Sequence, residues 1–225
     1  SHAVERVSAR KQGGSTTDYF AIGTEFPTEN MESAVFLARI DGRGDLIERI
    51  DADMSTTDFG AALSLANDGG WNVLGTTFSS VSMNFNAYLE RFNAAGESQY
   101  ISTFGGAVRT ATFDADRVGD DGVIIAADRM ENDMASALLV RVLPSGDTQW
   151  DRVFTGMDCV PFNVDAVVAL SDGTFAAAGY VTDPDTSSVD VHVIRVDADG
   201  DLIWQFNYGT DTADEEGLAI CDTGD

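Results

Sequence analysis

Carboxylates are the groups in this chain whose spacing could do chemistry. The turn VDADGDLIW sets Asp197, Asp199 and Asp201 on alternate positions around Gly200, and alternating acids beside a glycine can offer oxygen ligands to calcium. Asp41 and Asp45 frame the similar turn DGRGD, and Asp114 and Asp116 head a further group with Asp120 and Asp121. Calcium is therefore expected at one or more of these clusters, with Asp41, Asp45, Asp114, Asp116, Asp197, Asp199 and Asp201 as candidate ligands. None is an EF-hand loop, which is longer and closes on a Glu. Asp also serves hairpin turns with no metal at all, so each cluster has a purely structural alternative.

Other reactive constellations are thin. The only histidines are His2, beside a terminus, and His192, inside the strand-like run VHVIRV, and nothing near either resembles a nucleophile turn. No glycine-rich phosphate loop runs into a helix. A glycosidase needs only two suitably separated carboxylates, which 38 acids would supply by accident. The chain is accordingly not expected to be an enzyme. Cys159 and Cys221 make an even pair, expected to form a disulfide in a secreted chain, and neither has zinc-type spacing.

Charge narrows the partners. A net charge of −25 repels nucleic acid and anionic membranes, and no run approaches the roughly 18 apolar residues of a membrane helix. Self-repulsion of this size favours a medium in which salt screens it, within about 8 Å at physiological ionic strength, or in which divalent cations bind. An extracellular or cell-surface, saline setting follows as the expectation. The chain opens on Ser1 without a charged-then-apolar leader, so any secretory leader is expected to have been removed.

The elements that carry these acids recur. An apolar-x-Arg-apolar strand followed by a Gly turn reads LARIDGRGD from Leu37, LERFNAAGE from Leu89, LVRVLPSGD from Leu139 and VIRVDADGD from Val193. Arg39, Arg91, Arg141 and Arg195 are 52, 50 and 54 residues apart, in step with Gly44, Gly96, Gly146 and Gly200. Four residues beyond each glycine stand Glu48, Tyr100, Trp150 and Trp204. A second hairpin follows in AALSLANDGGWNVLGT from Ala61, DADRVGDDGVIIAAD from Asp114 and DAVVALSDGTFAAAG from Asp165. Two hairpins per repeat make four strands, one propeller blade. The recurring arginines are expected to pair with acids as structure.

The expected fold is therefore all-β, a single domain over 1–225: a β-propeller of four blades of four antiparallel strands, with repeats at about 33–84, 85–133, 134–190 and 191–225. The last repeat reaches only LAICDTGD, and DYFAIGT within 15–26 matches GWNVLGT, so the last blade is expected to be closed by that N-terminal strand. Half of an eight-bladed ring is the alternative. Residues 1–12 are then surplus. Ala3, Val4, Glu5, Arg6, Val7, Ser8 and Ala9 alternate like a strand and are expected to add to a neighbouring molecule, to pack outside their own ring, or to trail as an extension.

LSDGTFAAAGY from Leu170 and VIRVDADGDLIWQFNYG from Val193 resemble the secreted bacterial β-propeller repeats of the SBBP kind, over nearly the whole chain. The resemblance implies a secreted or surface propeller and no particular activity. Repeat two departs from it with Asp128 where Gly is expected. The function expected is that of an extracellular structural subunit that self-assembles into a filament or matrix, with itself as partner. The alternative is a secreted module that binds surface glycans or proteins through loops such as Val181 to Asp190 and Pro27 to Ser33.

Overall fold

A computed structural model describes residues 2–11, 17–26, 32–52, 55, 57–183, 185–210 and 212–224, with the backbone alone over 2–11 and at 17 and 159. The chain forms two compact units, Ser1–Thr112 and Phe113–Asp225. Four antiparallel sheets of four strands account for the regular structure. The first holds β1 (His2–Lys11), β2 (Thr17–Glu25), β3 (Ala34–Ile40) and β4 (Leu46–Asp51), and the second β5 (Asp58–Leu65), β6 (Trp71–Ser79), β7 (Asn84–Phe92) and β8 (Ser98–Phe104). The third holds β9 (Arg109–Arg117), β10 (Val123–Glu131), β11 (Met134–Val142) and β12 (Thr148–Phe154), and the fourth β13 (Phe162–Ala169), β14 (Phe175–Thr182), β15 (Val189–Val196) and β16 (Leu202–Tyr208). In each sheet the strands lie side by side in chain order.

Turn chemistry dictates the outer hairpins. Gly44, Gly96, Gly146 and Gly200 adopt φ of 93°, 80°, 91° and 81°, a region open to glycine and strained for other residues. Each donates its N–H to the carbonyl three residues back, at Asp41, Asn93, Leu143 and Asp197. The third and fourth strands of every sheet then pair with a register shift beside the recurring arginine, so that Arg39, Arg91, Arg141 and Arg195 face Glu48, Tyr100, Trp150 and Trp204.

Sheets pack face to face within each unit. In the first unit Phe20, Ile22, Val35 and Leu37 meet Leu63, Trp71, Val73 and Phe92. In the second, Ile124, Ala126, Leu139 and Trp150 meet Phe162, Val164, Phe175, Ile194 and Val196. Truncating a buried aromatic such as Trp71 or Trp150 to Ala would remove about 3 to 5 kcal/mol.

The phase of the repeat corrects the sequence expectation. Strand β2, expected to complete the last blade, lies between β1 and β3 in the first sheet, pairing Ala21 with Ala38 and Ile22 with Leu37. The fourth sheet is complete without it. Sheets begin two strands earlier than the repeats counted from 33, and proximity along the chain explains why: β2 and β3 are consecutive in sequence, and pairing near neighbours needs no long loop closure. Residues Ala3 to Ala9 are also placed, inside β1, with Ala3 opposite Thr24 and Ala9 opposite Tyr19. The C-terminal LAICDTGD forms no strand among its described residues.

Candidate functional site

The turn acids hold their own backbone. Asp41 Oδ1 accepts the N–H groups of Arg43 and Asp45 at 2.8 and 3.0 Å, and Asp197 Oδ1 those of Asp199 and Asp201, both at 2.9 Å. Asn93 does the same for Ala95 and Glu97 with a neutral amide oxygen, so charge is not what the turn requires. The Asp45 and Arg43 N–H bonds hold the Asp41 carboxyl below its usual range. Asp114 and Asp116 bond across sheets instead. Asp114 Oδ2 accepts the Val167 N–H at 3.1 Å and Asp116 Oδ2 the Ala169 N–H at 3.0 Å, joining β9 to β13. Among the described residues no three or more His, Cys, Asp or Glu side chains are grouped to hold a metal ion.

The arginines pair as a set. Arg39 reaches Asp18 at 2.6 Å, Arg91 Asp68 at 2.7 Å, Arg141 Asp120 at 2.6 Å and Arg195 Asp172 at 2.5 Å. Burial raises the Asp120 carboxyl, yet the Gly122 N–H and Arg141 together hold it below its usual range. Arg141 also donates to the carbonyls of Val123 and Val142. The charge-assisted pairs of Asp68, Asp120 and Asp172 lock the inner hairpin turns of the second, third and fourth sheets to their third strands, and in the first sheet Asp18, on β2 itself, takes the same part.

A series of bonds between neighbouring sheets is invisible to motif reading. The Gly60 N–H donates to Thr24 Oγ1 at 3.0 Å, the Thr112 N–H to Thr76 Oγ1 at 3.0 Å and the Val164 N–H to Asp128 Oδ1 at 2.8 Å, each across 36 residues. Asp128 thus stands where threonines stand in the earlier repeats. The expected glycine position is one residue earlier: Ala127 lies opposite Leu138, as Gly75 lies opposite Tyr88 and Gly179 opposite His192. Burial, with Asp165 nearby, pushes the Asp128 carboxyl up to about 7 against the Val164 N–H. Burial and Glu216 raise Asp165, and burial with Asp165, Asp128 and Glu216 raises Tyr180. The signal that could have found this cluster is the constant spacing of Thr24, Thr76, Asp128 and Tyr180.

His192 is fully buried, its Nδ1 2.5 Å from Asn207 Oδ1 and its ring edge-on to Phe162. Burial lowers its pKa against the hydrogen bond with Asn207. Cys221 is a free, exposed thiol, and the side chain of Cys159 lies outside the described residues. Residues 27–31 of the expected binding loop and residue 184 of the other also lie outside them.

The C-terminal segment runs along the fourth sheet. Glu215 N–H donates to Val189 O at 2.7 Å, Val189 N–H to Asp214 Oδ1 at 3.0 Å, Gly217 N–H to Gly179 O at 3.3 Å and Ser171 N–H to Asp222 Oδ2 at 3.0 Å. β5 meets the first sheet in the same manner, through Asp58 N–H to Ser33 O and Gly60 N–H to Thr24. The segment therefore lies where the first strand of a following sheet would lie. No family model matches the chain, and no match to a curated protein is found.

Proposed function

We propose that this chain is an extracellular structural subunit of β-propeller type that self-associates through the ends of its sheet series, with its acidic surface screened by salt and calcium. The observation that carries the proposal is the docking of Asp214 to Asp222 on the fourth sheet as a first strand would dock. Strand addition is assigned to this segment rather than to Ala3 to Ala9, because β1 is paired with β2 in its own sheet. Calcium enters as a counter-ion of the whole surface, since the turn carboxylates of Asp41 and Asp197 already accept backbone N–H groups. Removing residues 214–225 is expected to leave folded protein that no longer assembles. Sedimentation velocity and negative-stain images decide it: undiminished oligomers after the truncation would sink the assignment.

A second reading has its own support, in a row of phenylalanines at one end of the first unit. Phe26, Phe59, Phe85 and Phe78 follow one another at ring separations of 6.2, 6.0 and 5.4 Å, and the adjoining loop exposes Val81 at 96% and Met83 at 71%. Such a surface suits an adhesion module that stacks sugar rings or apolar side chains. Binding on a glycan array that Phe59→Ser abolishes would favour this reading.

A further inference from the structure

Within each unit, one sheet meets the next as a knob and hole. Trp150, on β12, is 7% exposed and packs on the outer turn of the fourth sheet: its indole N–H donates to Ala198 O at 2.9 Å, and a Cβ at Gly200 would come within 2.9 Å of its ring. In the first unit Ile50 and Glu48 of β4 pack in the same way on Gly96. Trp204 and Phe206 of β16 are the equivalents of Trp150 and Arg152, yet Trp204 stays partly exposed and Phe206 is 53% exposed, their rings 5.6 Å apart. The Gly44 turn of the first sheet has the complementary character. Gly44 is exposed and a Cβ there would meet nothing within 4 Å, unlike Gly96 and Gly200.

Burial of the third strands follows the same division. Tyr88 to Phe92 of β7 and Ala137 to Val142 of β11 are buried on both faces, whereas β3 and β15 each bury one. On β3 the less buried face carries Phe36, Ala38 and Ile40, the counterparts of His192, Ile194 and Val196, which are 0% exposed in the fourth sheet. On β15 the less buried face carries Val191 and Val193, beside Trp204.

We propose that the fourth sheet of one molecule packs on the first sheet of a second copy of this chain, Trp204 seated against the Gly44 turn with its indole N–H on the Gly42 carbonyl. The contact continues an interface the chain already makes twice with itself, between its first and second and its third and fourth sheets. It is heterologous, one surface meeting a different one, so each added copy presents both again and growth runs head to tail. The Asp214 to Asp222 segment lies on the same face of β15, where Gly217 faces Val191, and reaches the second copy with it.

This inference rests on the self-association proposed above and is tested so that the two fail separately. Wild-type protein, Trp204→Ala and Ala38→Arg are compared by sedimentation velocity from about 1 to about 200 μM, with circular dichroism confirming that each is folded. Self-association of the wild type and its weakening by about tenfold or more in each variant is the expected result. Mixing the two variants should restore dimers but nothing longer, because Trp204→Ala keeps an intact first sheet and Ala38→Arg an intact fourth. Association that survives in both variants, or a mixture that stays monomeric, overturns this interface while leaving self-association standing. A wild type monomeric throughout overturns both. Acrylamide that fails to quench Trp204 in dilute monomer also overturns it, since the indole would then be covered without a second copy.

Discussion

Asp128 occupies a position that threonine fills in two other repeats, and the exchange makes one sheet contact sensitive to pH. Its pKa rises from 3.8 to about 7 through burial, aided by Asp165. A carboxyl that holds its proton more tightly when folded contributes most below its unfolded pKa, loses that contribution between there and its folded pKa, and changes no further above it. Asp128→Thr should therefore match wild type near pH 4 and exceed it by about 1 to 3 kcal/mol near pH 8, as Thr24 and Thr76 accept the same bond without charge. Urea midpoints at the two pH values check this, and equal differences at both would refute it. The arginines divide similarly by burial. Arg141, with its side chain 4% exposed, serves Asp120 and two carbonyls, so Arg141→Ala should cost about 3 kcal/mol or more. Arg195, 31% exposed, should lose under about 1 kcal/mol on the same change. That the four arginines pair with acids was legible in sequence because the arginines themselves recur in step; which acid each takes was not. Asp128 was not, because its partner is the backbone of the next sheet, and an N–H carries no residue-type signature.

At the scale of elements, the hairpins could be read and their phase could not. Turn residues such as Asp41 with Gly44, or Asp197 with Gly200, announce themselves by the conformation they must adopt. A periodic pattern, however, looks alike wherever counting begins. Starting from Leu37 left β1 and β2 over and made the fourth sheet look short, although β1 was already paired with β2. The acid-rich turns are ambiguous for a related reason: a carboxylate that caps a turn and one that binds an ion are the same residue at the same spacing. The turns should nevertheless differ measurably. Gly44→Ala meets only the strain of φ 93° and should cost about 1 kcal/mol. Gly200→Ala adds a clash with the Trp150 ring and should cost about 2 to 4 kcal/mol. Chemical denaturation of the two variants tests the contrast, and Gly44→Ala proving the costlier would contradict the packing described for Gly200.

For the whole molecule the dominant fact is charge. Most of the carboxylates lie outside the four arginine pairs, and a net charge of −25 on 225 residues opposes compaction wherever it is unscreened. Raising sodium chloride from about 0.02 to about 0.5 M shortens the screening length from roughly 20 Å to roughly 4 Å, so the melting temperature should climb with salt even though the exposed ion pairs are themselves weakened. Calcium is separable from this effect by holding ionic strength constant. If divalent binding to the folded surface contributes as proposed, calcium at about 100 times its dissociation constant adds about 2.7 kcal/mol. For a chain of this size that is a rise of about 5 to 10 °C, reversed by EDTA. A melt that follows ionic strength alone, with calcium and sodium indistinguishable and EDTA without effect, would remove calcium from the proposal and leave screening as the sole reason the acidic surface tolerates folding.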